Sequence, residues 1–299
     1  TYTGATNINA GVLTAGTAQA LAASSAVSLA AGARLEIGAY DQRVNNFSGA
    51  GGVDLGTAEL TVNNSVATIF SGTIEGDGSL VKTGAGSLTL SGPGSYEGGT
   101  TVDQGRLIVR EATALGTGLV TNNSELELNP DADGTMVNQL AGTGDVFKTG
   151  TNSLTLTHAD SSMGSLTFSW GRLALTAEAN VNVAGQYSQT EQSTLAVDLG
   201  AVDRPAIAAG SASLDGVLQI TGLILAMADK VSELDSFRRT VISSVTDIVG
   251  DFDQVAFDSG IDHPDYLILG GRLSEDLKNY TVGLGLAWLG SANDGHGNF

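Results

Sequence analysis

The chain has three histidines, His158, His263 and His296, and no cysteine. No pair of histidines falls in an HExxH or similar spacing, so a histidine-based zinc site is not expected. Nucleophilic catalysis by serine needs a histidine beside it and an acid behind. Serines are abundant, but no GxSxG elbow occurs: Ser91-Gly92 and Ser95 lack it. The three histidines therefore read as surface or turn residues.

Asn129-Pro130-Asp131-Ala132-Asp133-Gly134 looks like part of a calcium loop. An EF-hand wants Asp first and Glu twelfth; here those places hold Asn129 and Leu140. Asp131 and Asp133 are thus a weak calcium candidate, and an acidic Asx-type turn is the plainer reading. Asp103 with Arg106, and Asp203 with Arg204, come nearest to the carboxylate and cation clusters of glycan-cleaving enzymes. Two isolated pairs read better as solvated charge. Trp170 and Trp288 offer faces for sugar stacking; Trp170 precedes a corner glycine, while Trp288 sits in an apolar strand. No catalytic, cofactor or metal residue is assigned, and no enzyme activity is expected of this stretch.

The elements that would hold these residues are strands. Glycine is 41 of 299 residues with only four prolines, and hydrophobic residues make up 41%. Ser87-Leu88-Thr89-Leu90 and Arg106-Leu107-Ile108-Val109 alternate with period two, which turns one face inward. Glycines 84, 86, 92, 94, 98 and 99 fall between such runs, at corners. The net charge of −19 repels phosphate backbones and excludes nucleic acid as a partner. No apolar run approaches the roughly 20 residues of a spanning helix. The opening TYTGATNINAG begins in mid-pattern and has no signal peptide.

The pattern repeats. GSLVKTGAGSLTL (Gly78–Leu90) and GDVFKTGTNSLTL (Gly144–Leu156) share eight of thirteen positions at an offset of 66. GGTTVDQGRLIV (Gly98–Val109) and GSLTFSWGRLAL (Gly164–Leu175) keep that offset. YTGATNINAGVL (Tyr2–Leu13) matches Tyr96–Leu107 at an offset of 94. The offsets suggest three and four units of about 22–23 residues, one coil of a parallel β-helix each. On that reading the chain repeats because each coil presents the same face to the next. Asn63–Ser65 and Asn122–Ser124 mark turns where asparagines would either stack along a corner or simply accept left-handed geometry. The repeat fades near residue 200, which divides the chain into β-helix repeats at 1–209 and a β-rich cap at 210–299.

Lys82 to Val109 closely resembles the passenger-associated strand repeat of bacterial autotransporters. The matching positions are Lys82, Gly84, Gly86, Leu88, Leu90, Ser91, Gly92, Tyr96, Gly98, Gly99, Thr100, Val102, Gly105 and Leu107. The second copy departs, with Asn152 for a glycine and THADSSMGS in place of the middle segment. RRTVISS (Arg238–Ser244), GDFDQV, DYLILGG, NYTVGLGLAW and HGNF (His296–Phe299) resemble the region before the translocator in adhesins of the diffuse-adherence type. The resemblance implies an all-β, right-handed parallel β-helix with a C-terminal autochaperone cap. It implies display at the cell surface, anchored at the outer membrane of a Gram-negative bacterium. The implied partners are the chain's own translocator β-barrel and the outer-membrane assembly machinery. Self-association or host-surface ligands would serve adhesion or biofilm formation. Two other readings stay open: the stem of an autotransporter whose protease or esterase domain lies upstream, and a β-helix glycan-active enzyme. A passive spacer is a third.

Overall fold

The computed structural model describes residues 3–199, 204–222, 238–257 and 267–286. Two compact units divide at Leu154 and Thr155. All the described elements are strands; none is helical.

In residues 1–154 most strands form three parallel faces, while Gly134–Met136 begins a fourth sheet with Ser153–Leu156. The first face stacks Thr6–Ile8, Val27–Leu29, Ser48–Gly49, Thr68–Phe70, Ser87–Leu90, Arg106–Val109, Glu125–Leu128 and Asp145–Lys148. The second runs from Val12–Thr14 through Arg34–Glu36 and Gly52–Asp54 to Ile74–Glu75. The third stacks Gln42–Asn45, Glu59–Asn63, Ser79–Thr83, Thr100–Val102, Val120–Asn122 and Leu140–Gly142. This is a β-solenoid. The alternation seen in the sequence sets its inside: Leu88, Leu107, Leu126 and Val146 are register partners in one buried column. Leu60, Leu80, Thr100, Val120 and Leu140 form another. Phe47 and Phe70 stack with ring centroids 4.5 Å apart.

Coil length corrects the sequence reading. Register partners lie 18 to 22 residues apart, most of them about 20, so a coil is generally shorter than the expected 22–23. The offset of 66 is then three coils and one face. Lys82 lies on the third face, whereas its counterpart Lys148 lies on the first. Likewise Thr6–Ile8 lies on the first face and its counterpart Thr100–Val102 on the third. The copies are not in register with one another. The motif encodes a strand, a corner and the next strand, and that local unit fits more than one edge of the solenoid.

Glycine corners let the coils approach. A Cβ on Gly72 would collide with the carbonyl oxygen of Gly51, and one on Gly92 with that of Gly72. Only bare backbone allows this stacking at the strand spacing of about 4.8 Å.

Residues 155–286 keep two parallel faces. Ser165–Phe168, Val181–Gln189, Ile207–Leu214 and Arg238–Ser244 make one. Gly171–Leu175, Ser193–Asp198, Val217–Gly222 and Gln254–Phe257 make the other. The strand Ile207–Leu214 is continuous through residues 209 and 210. The pattern then changes sense. Arg238–Ser244 pairs antiparallel with Asn279–Leu286, which pairs antiparallel with Leu267–Leu273.

Candidate functional site: the lysine corners and coil clamps

Lysine is almost never fully buried unless paired. Here Lys82 and Lys148 both have no exposed surface. Each is in phase with an inward apolar residue, Leu80 and Val146 respectively, so the strand pleat carries it inside. Lys82 stacks between Val62 and Val102. Its Nζ donates to the carbonyls of Thr83 (2.8 Å), Gly84 (2.8 Å) and Gln104 (3.0 Å). Gln104 belongs to the next coil, so the ammonium ties two coils together. Lys148 repeats the arrangement, donating to Thr149 (2.8 Å) and Gly150 (3.2 Å). The corner glycines make it feasible: Gly84 has φ +75° and Gly150 φ +73°. Burial pushes each amine down to about 8. The carbonyl acceptors act the other way, because they favour the charged form.

Other buried polar residues close the remaining corners. Asn64 accepts from Phe47 N–H (3.0 Å) and donates to the Ser87 carbonyl (3.2 Å), joining three coils. Asn122, one coil beyond Val102 in the lysine column, donates to the Asp145 carbonyl at 3.0 Å. Asn63 donates to Asn45 (2.7 Å) and accepts from Thr83 (3.4 Å), so the stacked ladder exists on that edge. Asn122 is instead an inward plug. Tyr96, at the motif's tyrosine, is buried with its hydroxyl 2.6 Å from Thr100 Oγ1. Burial raises its pKa far above the ordinary phenol value.

Outside, cations clamp the coils. Arg34 meets Glu36 in its own strand, Asp54 (2.9 Å) one coil on, and Glu75 a coil further. Arg106 reaches Glu127 (2.9 Å) and sits 5.1 Å from the Phe147 ring centroid.

The candidates from the sequence are dispersed. Asp103 accepts from Asn123, and Arg106 turns to Glu127 and Glu125, so the two do not pair as a site. Asp131 binds Arg110, and Asp133 accepts from Ser153 N–H (2.7 Å). Both acids tie their turn to neighbouring coils. Among the described residues no three His, Asp or Glu groups are placed to hold a metal. His158 is exposed, with Nδ1 2.5 Å from the Ala159 carbonyl oxygen. Trp170 is half-exposed at a corner. Arg204 binds the Glu178 carbonyl and lies 3.5 Å from Asp160. Asp203, His263, Trp288 and His296 lie outside the described residues. The interior lysines are what the site search missed, although their in-phase position was visible in the alternation.

The family described as passenger-associated-transport-repeat matches residues 1–15 and 80–109, the second stretch containing the Lys82 corner. Those two stretches are similar to that repeat. It is also 36% identical, over 156 residues, to the Adhesin BmaC autotransporter of Brucella suis. That match covers 48% of this chain and 4% of the relative. The Uncharacterized lipoprotein YdeK of Escherichia coli is 28% identical over 147 residues, 48% of this chain and 11% of that protein. The chain thus spans a small part of the relatives it matches. The chain is similar in two stretches to the passenger-associated repeat, and over about half its length to one part of an autotransporter adhesin.

Proposed function

We propose that this chain is the stem of a surface-displayed adhesin and that residues 210–299 act as the nucleus on which the stem folds during secretion. The observation carrying this reading is the change from parallel to antiparallel pairing at Arg238–Ser244. Parallel coils offer an open edge that invites further pairing. An antiparallel hairpin is local in sequence and closes without waiting for another coil. The stem holds more distal binding regions away from the outer membrane, where the chain's own barrel and the assembly machinery are its partners. The relative named an adhesin supports cell adhesion as the outcome.

Refolding of the full chain beside a 1–209 truncation, followed by circular dichroism, tests the nucleus. The reading expects 1–209 to fail to refold alone and the full chain to show a separate, more stable C-terminal transition. Unaided refolding of 1–209 with a single transition would reduce the last ninety residues to a cap.

A further inference from the structure

The Lys82 corner has the chemistry of an ion site. Its three acceptors are backbone carbonyl oxygens, all at 2.8 to 3.0 Å from Nζ. No carboxylate is among the partners described for that nitrogen, so the ammonium is held by dipoles alone. Converging carbonyl oxygens are the groups that replace the hydration shell of a monovalent cation. The corner glycine holds two of these carbonyls in place, because its positive φ turns the chain sharply just after the lysine. The two corner contacts recur at Lys148 on a different face, where the Asp133 carboxylate also acts on the amine. A feature retained when the motif moves to another face belongs to the motif rather than to its surroundings.

We propose that each Lys-x-Gly corner is a monovalent-cation site of backbone carbonyls, occupied by the chain's own ammonium. A variant without the amine would take up free ammonium or potassium in its place. The lysine is then a tethered ion rather than a core filler. Apolar residues of similar length do not substitute for it, because the part-buried Gly84 and Gln104 carbonyls lose the ammonium and only the Thr83 carbonyl keeps a second donor, the Asn64 N–H.

The test is urea unfolding of the full chain and its Lys82→Ala variant at pH 7. The chlorides of ammonium, potassium and tetramethylammonium are compared at equal ionic strength. The proposal expects Lys82→Ala to be weakened in tetramethylammonium and to regain stability in ammonium or potassium. Its folded-to-unfolded ratio should grow as one plus ion concentration over Kd. The unmodified chain should respond alike to all three salts. Lys82→Met, whose side chain fills the space, should be weakened in every salt. Identical responses of Lys82→Ala and the unmodified chain would overturn the proposal, as would Lys82→Met matching the unmodified chain in stability. If Lys82→Ala does not fold, Lys148→Ala carries the same comparison. Titration of the Lys82 amine by NMR in the unmodified chain decides independently: a group still charged at pH 7 fits the cage, and a neutral amine at pH 7 contradicts it.

Discussion

Residues 1–154 and residues 155–286 solve the same stacking problem differently. The first unit uses near-constant coils, with register steps of 18 to 22 residues. The second lengthens its later steps: Gln186 pairs with Ser211 and Ile207 with Ile242. It also contains register shifts and ends in antiparallel pairing. The first unit shows what a motif can specify, since corners and strands recur while each coil touches mainly its neighbours. The second shows how a parallel stack is ended: antiparallel strands take the edge on which another coil would otherwise stack.

Four substitutions and one pH dependence separate these two modes. The largest effect is expected in the regular unit. Gly72→Val drives a side chain into the Gly51 backbone and should cost about 4 kcal/mol or more, read as a fall in urea midpoint. An unchanged midpoint would mean that the coils are not closely stacked at that corner. In the closing region, Tyr280 is buried and meets the Phe252 ring edge-on at 5.0 Å. Tyr280→Ala should cost about 3–5 kcal/mol. If residues 238–286 nucleate folding, it should also slow refolding of the entire chain, whereas a simple cap would change only unfolding. Stopped-flow refolding distinguishes the two.

Lys82→Met should cost about 1–3 kcal/mol, chiefly through the Gly84 and Gln104 carbonyls that lose the ammonium. The pH dependence sharpens that figure. Burial lowers Lys82 and Lys148 from 10.5 to about 8, so between those values the unfolded chain binds more protons than the folded one. Stability should therefore rise as pH climbs above about 8, and Lys82→Met should show a smaller rise. Buried Tyr96 and Tyr187 have raised values and resist ionising, whereas unfolded tyrosine ionises near 10.0. Above pH 10 the unfolded chain sheds these protons first, and stability should fall. A midpoint that declines steadily from pH 8 would contradict the assignment of both lysines to the interior. The smallest effect is expected at Arg34→Gln, about 1 kcal/mol at most, because its clamp is more than a third exposed and screened by salt. A larger loss would mean that the surface clamps, not the corners, hold the coils.

Much of the fold was legible because alternation and corner glycines are local. Leu88 faces inward because its neighbours are Ser87 and Thr89, and Leu107 goes inward in phase with Val109. The coil length was not legible, because the copies at Lys82 and Lys148 are separated by a whole number of faces, not of coils. Self-similarity measures the distance between motifs, and a solenoid with like corners does not require that distance to be whole turns. Lys82 and Lys148 were seen as motif letters but not as interior groups. The residue type argues for solvent and the pleat argues for the core; the pleat prevails where corner carbonyls receive the charge. Asn122 was misplaced for a similar reason, since its in-phase position with Val120 sends it inward rather than along the edge.

The most direct test of the account is pulsed hydrogen exchange during refolding of the full chain, resolved by segment. The account predicts that amides of 238–257 and 267–286 gain protection first, followed by coils progressively nearer the N-terminus. Protection appearing first in residues 1–154, with 238–286 last, would contradict the C-terminal nucleus and leave the antiparallel strands as a lid added to a finished stem.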